Sequence, residues 1–138
     1  MRVYSLLLSC LLLFSCSEKI TEASLPYLNG YWEIEKVVFP NGDSKDYTVN
    51  ATIDYIEVKE KEGFRKKVQP LLDGGFLTSN DAQAFTIYKQ DEVFLLRYKN
   101  NLSSWEETIV RVDSTSLALK NDAQITYIYK RYQPIKLE

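Results

Sequence analysis

The side chains that carry most hydrolytic and metal chemistry are nearly missing from this sequence. It has no histidine, and its two cysteines, Cys10 and Cys16, lie at the very start of the chain. A Ser/His/Asp triad, a Cys/His nucleophile and a zinc ligand set are therefore all excluded from the rest of the chain. Two carboxylate pairs stand out, Asp91-Glu92 and Glu106-Glu107. Neighbours along a strand point to opposite faces and cannot converge on one substrate atom, so both pairs read as solvated strand and turn charges. An enzyme is not expected, and neither is a metal or a cofactor. Basic residues give a different signal: Lys59 to Lys67 alternates in charge and ends Arg65-Lys66-Lys67. Such a hairpin could meet an anionic group at the mouth of a fold, or could simply keep a sheet edge soluble. Arg65 and Lys67 are carried forward as ligand-binding candidates.

The first fifteen residues hold one charge, Arg2, before an apolar run from Val3 to Phe14. That run is too short to span a bilayer and has the size of a removable signal segment. It ends Leu13-Phe14-Ser15-Cys16, which resembles the lipobox of bacterial lipoproteins. Leu7-Leu8-Ser9-Cys10 fits the same pattern but would leave a shorter apolar run, so Cys16 is preferred. The resemblance implies cleavage after Ser15, an acyl anchor such as palmitate on Cys16, and an outer-membrane lipoprotein of the cell envelope whose domain faces the periplasm or the cell surface. On this reading residues 1–15 are signal, 16–27 a polar tether and 28–138 the folded domain.

What remains has 16 basic and 19 acidic residues once Arg2 is removed, a slightly acidic balance that argues against a nucleic-acid partner. Roughly 110 residues suit one domain with one core. Within them, runs such as Thr52 to Lys59 alternate with period two rather than 3.6. Strands are expected at Tyr31–Phe39, Thr52–Lys59, Phe64–Val68, Ala84–Lys89, Val93–Lys99, Trp105–Val112, Ser116–Lys120 and Ile125–Tyr132, with a short one at Phe76–Thr78. Turn residues separate them, among them Pro40-Asn41-Gly42-Asp43, Gln90-Asp91 and Asp113-Ser114. No stretch after residue 24 shows a helical stripe. Eight short strands in sequence favour an all-β, antiparallel up-and-down barrel over an immunoglobulin-like sandwich, which would need longer crossing connections.

The segment Asn29-Gly30-Tyr31-Trp32-Glu33-Ile34 sets a Gly-x-Trp at the opening of the first strand, and the region 28–133 resembles the short lipocalin-like domains of Bacteroidota lipoproteins. That resemblance implies that Trp32 plugs the closed end of the barrel and that Arg131, in Tyr129-Lys130-Arg131-Tyr132, packs across its ring. The Thr-Asp-Tyr motif of larger lipocalins is absent between the sixth and seventh strands, and no C-terminal helix follows Tyr132.

Leu117, Leu119, Phe85 and Ile87 suit an apolar barrel centre. Ile125, Tyr127, Tyr129 and Arg131 share one face of the last strand. In Val93–Lys99 both faces are apolar, so the inward set is either Val93, Leu95 and Arg97 or Phe94, Leu96 and Tyr98. Arg97, Tyr127 and Tyr129 join Arg65 and Lys67 as candidates for holding a ligand. An eight-stranded barrel can be filled by side chains or can hold one small molecule. A cavity above roughly 300 Å³ with polar residues at its mouth would mark a binder of a small apolar or amphiphilic molecule. A packed barrel with an apolar loop patch would instead mark a module that binds or inhibits an envelope protein. Asp113-Ser114-Thr115 resembles the short O-glycosylation motif of Bacteroidota, which implies Ser114 as acceptor; the same triplet is a good β-turn.

Overall fold

The structure is a computed structural model that describes residues 19–134; the signal segment and Cys16 lie outside the described residues. Ten strands follow a 3-10 helix, Glu22–Leu28: β1 Gly30–Val38, β2 Ser44–Asp46, β3 Ile53–Lys59, β4 Glu62–Pro70, β5 Phe76–Thr78, β6 Gln83–Gln90, β7 Val93–Lys99, β8 Ser104–Val112, β9 Ser116–Asn121 and β10 Thr126–Arg131. Leaving out β2 and β5, each strand pairs antiparallel with the next, and β10 pairs back onto β1. The result is a closed, eight-stranded, up-and-down β-barrel in which closure removes the free edges. β2 lies against the far end of β1, and β5 against the far end of β4.

Period-two alternation decides what faces in. Asp54, Ile56 and Val58 of β3 stand opposite Lys67, Arg65 and Gly63 of β4 on the inner face. Tyr55 and Phe64 point outward, where they meet Tyr31, Phe76 and Tyr132 in an aromatic group on the wall. The ambiguity in β7 resolves in favour of Phe94, Leu96 and Tyr98, all buried. At the β6–β7 turn Asp91 and Glu92 both adopt positive φ, +50° and +68°, as a tight two-residue hairpin requires. That acidic pair is a turn apex.

Residues 22–27 were expected to belong to a polar tether, yet together with Leu28 they form the 3-10 helix, with Leu25 and Leu28 buried in the core. Their i, i+3 spacing is the 3-10 repeat, which puts both leucines on one side. The helix stoppers one end of the barrel. There the Trp32 indole donates to the Leu28 carbonyl at 2.9 Å, and the Arg131 guanidinium lies 3.8 Å from the Trp32 ring centroid. Arg131 also donates to the carbonyls of Tyr27, Asn29 and Ser114, tying helix, first strand and the β8–β9 turn together. Gly30 is needed at this junction for two reasons. Its φ is +124°, and a Cβ there would lie 2.5 Å from Arg131 Nη1. Above the stopper, Phe85, Ile87, Phe94, Leu96, Ile109, Leu117 and Leu119 fill the lower barrel.

Candidate functional site

The barrel centre is not wholly apolar. Asp54 from β3, Arg65 from β4, Glu107 from β8 and Tyr129 from β10 all point inward and meet above the packed half. Arg65 donates from Nη1 to Glu107 Oε1 at 2.9 Å, and from Nη2 to Asp54 Oδ2 at 3.0 Å and to the Tyr129 hydroxyl at 2.5 Å. Lys67 closes the group from the rim, its ammonium 2.7 Å from Asp54 Oδ1. Asp54 and Glu107 are only 2% and 8% exposed, so Glu107 is not the solvated strand charge expected from sequence. Of the pair Glu106-Glu107, only Glu106 faces out, as strand alternation demands.

A carboxylate in such a place is costly unless it is paired and hydrogen-bonded, and here each carboxylate touches the guanidinium. Burial works against the Arg65 charge, but Tyr129, Asp54, Tyr98 and Glu107 around it outweigh that and raise its basicity above the ordinary value. Burial also holds the Tyr98 and Tyr129 phenols neutral, pushing both well up, while Arg65 pulls the other way. The Tyr98 hydroxyl is buried beside the cluster and has no well-formed hydrogen bond among the described residues.

A pH dependence follows from the two raised phenols. Their contribution to stability is complete below the unfolded value of about 10 and is lost as the pH rises above it. Two tyrosines should therefore ionise only together with unfolding, a late step in the ultraviolet absorbance at alkaline pH. A smooth titration of every tyrosine near pH 10 would contradict the burial described here.

Above the cluster the barrel opens into a cavity of about 430 Å³. Arg65, Asp54, Glu107 and Tyr129 make its floor, and Trp105, Tyr127, Asn121 and Gln83 are among its walls. β4 pairs with β6 only from Glu62 to Arg65 and then turns to β5, so the wall parts beside the floor. The polar floor is thus reachable from the mouth.

Four of the five ligand-binding candidates converge on this cavity: Arg65, Lys67, Tyr127 and Tyr129. Arg97 does not. It stands opposite Thr86 and Glu106 on the outer face, donates from Nε to Glu106 Oε1 at 2.7 Å, and lies 4.2 Å from the Tyr88 ring centroid. The physical reason is that Phe94, Leu96 and Tyr98 bury more apolar surface than the alternative set, which fixes Arg97 outside. Trp32 and Arg131 make their contact at the stoppered end, remote from the cavity. Ser114 is exposed in the β8–β9 turn, where the Asp113 carboxylate accepts from the Thr115 and Ser116 backbone N–H groups. Asp54 and Trp105 were not expected at a site, and Glu107 was expected to be a solvated strand charge. Asp54 did carry a signal, since it alternates with Ile56 and Val58 on the apolar side of its strand.

No family model matches the chain, and no curated protein is similar to it. Among solved structures, a lipocalin-like protein from Bacteroides uniformis is similar over 77% of this chain and 99% of its own, at 12% identity and a TM-score of 0.47. Apocrustacyanin C1 is similar over 83% of this chain and 66% of its own, at 12% identity and a TM-score of 0.48. Lobster apocrustacyanin A1 is similar over 80% of this chain and 63% of its own, at 13% identity and a TM-score of 0.45. The barrel rests on the strand pairing of this chain itself.

Proposed function

We propose that this protein is a binder of one small amphiphilic molecule, held in the open mouth of the barrel and kept in the cell envelope by a lipid on Cys16. The observation that carries the reading is the cavity of about 430 Å³, which exceeds the roughly 300 Å³ that a small-molecule site needs and combines a polar floor with aromatic walls. The lower barrel is filled, so a long apolar tail has no room beneath the floor. A ligand must sit in the upper half, against Trp105 and Tyr127. The support for the anchor is the sequence Leu13-Phe14-Ser15-Cys16.

Trp105 makes the binding reading testable. Of the two tryptophans, Trp32 is sealed at the far end and Trp105 lines the cavity. Lipid extract from an envelope should change the emission of Trp105 saturably, and Trp105→Phe should abolish the change. Native mass spectrometry of the protein purified without detergent should show the same molecule as added mass. A bare mass and an unresponsive Trp105 would reject the reading.

One observation favours a protein-binding module instead. Val49, Leu72 and Leu102 are 89%, 78% and 94% exposed, each in a separate connection between strands. They are isolated tips and not a continuous patch, which is why the cavity takes precedence.

A further inference from the structure

We infer that the mouth admits its ligand with an uncharged or cationic hydrogen-bond donor leading, such as a hydroxyl or an ammonium, and turns away a leading carboxylate. The inference rests on the mouth being a binding site and specifies the chemistry of that site. It follows from how the three basic side chains near the floor are occupied.

Among the described residues Arg65 is the cation that reaches into the floor, and it is already committed. Its guanidinium serves Asp54, Glu107 and Tyr129 at once, so the buried floor holds one positive charge against two carboxylates. Lys67 lies against Asp54 and is 66% exposed, so an anion meeting it would form only a water-screened surface pair. Lys66 turns to the outer wall, with its ammonium 5.8 Å and 5.9 Å from the Tyr55 and Phe64 ring centroids. None of the three offers an unpaired cation inside.

Acceptor capacity, in contrast, is left over. Glu107 lines the cavity, and among the described residues its second carboxylate oxygen, Oε2, receives no well-formed hydrogen bond, although the buried Tyr98 hydroxyl lies close to this carboxylate. An O–H or N–H brought to that oxygen would make a charge-assisted hydrogen bond, stronger than a neutral one. A carboxylate brought to the same place would face two like charges where water is scarce. Because the lower barrel is filled, a ligand cannot bury its tail beneath the floor and leave its polar group at the rim. The leading group is the one the floor selects.

Decanol, decylammonium and decanoate share a tail and differ only in the head, so they isolate this choice. Each is titrated into the folded mature protein at pH 8, below its micelle concentration, with Trp105 emission as the readout. Decanol and decylammonium are expected to bind at least about tenfold more tightly than decanoate. Glu107→Gln should shrink the preference for decylammonium, and circular dichroism checks that this variant still folds; the wild-type comparison stands without it. Decanoate binding as tightly as the other two would overturn the head-group inference while leaving the mouth as a binding site. No saturable response to any of the three would overturn the binding site as well.

Discussion

Replacing Arg65 with methionine is expected to remove about 3–5 kcal/mol of stability, the cost of leaving buried carboxylates without their counter-charge. Asp54 and Glu107 would lose the guanidinium on which both depend, and Tyr129 would lose its donor. For a domain whose total stability is on the order of 5–15 kcal/mol, that is a large share. Lysine should rescue little, because a single ammonium cannot span two carboxylates and a hydroxyl as the planar fork does. Replacing the group together, Arg65→Met with Asp54→Leu and Glu107→Leu, should recover most of the loss, since apolar packing at such a site is often as stable as the ion pair it replaces. Urea unfolding of the wild type, the single variant and the triple variant compares the three. A single variant within about 1 kcal/mol of wild type would show that water reaches the floor and that the cluster stabilises nothing. If the triple variant folds well but no longer responds through Trp105, the cluster exists for binding and not for folding.

Trp32→Ala is the second large effect, at about 3–5 kcal/mol, the usual cost of emptying a fully buried tryptophan site. The loss would not be confined to the cavity left behind. The Leu28 carbonyl would lose the indole donor, and Arg131 would lose the ring beneath it. Arg131→Met should cost less than Trp32→Ala, because the ring stays packed, but it removes the donors to Tyr27, Asn29 and Ser114. Both variants should loosen the 3-10 helix before the barrel. Hydrogen exchange would show this as faster amide exchange over residues 22–30, with β6 to β9 unchanged. Uniform loss of protection across all strands would mean that the stopper and the barrel unfold as one unit.

Much of the fold was readable because a barrel strand is a repetition of one local rule. Alternation put Leu117 with Leu119 and Phe85 with Ile87 on shared faces that suit the interior, and the resemblance carried by Gly30-Tyr31-Trp32 implied the closed end and its contact with Arg131. Where the rule was ambiguous, in Val93–Lys99, sequence could not choose, because inward and outward sets are both apolar and only neighbouring strands decide. The 3-10 helix was missed because Pro26 and the surrounding polar residues looked like tether, although Leu25 and Leu28 carried the spacing. The polar floor was missed for a deeper reason. A buried charge is tolerable only when its partners are present, and those partners come from β3, β4, β8 and β10, far apart along the chain. Glu107 looks like a solvated charge until Arg65 is seen beside it.

The chain approaches the barrel from its stoppered end: Lys19 pairs with Glu92 in the β6–β7 turn, and the 3-10 helix follows at once. If Cys16 carries the lipid, as proposed, two residues separate the anchor from that contact. The barrel would then stand like a cup fixed to the bilayer by its base, with its rim toward the aqueous space. A cup in that orientation does not draw its cargo out of the leaflet that holds it. It would receive from, or deliver to, whatever faces it across the gap.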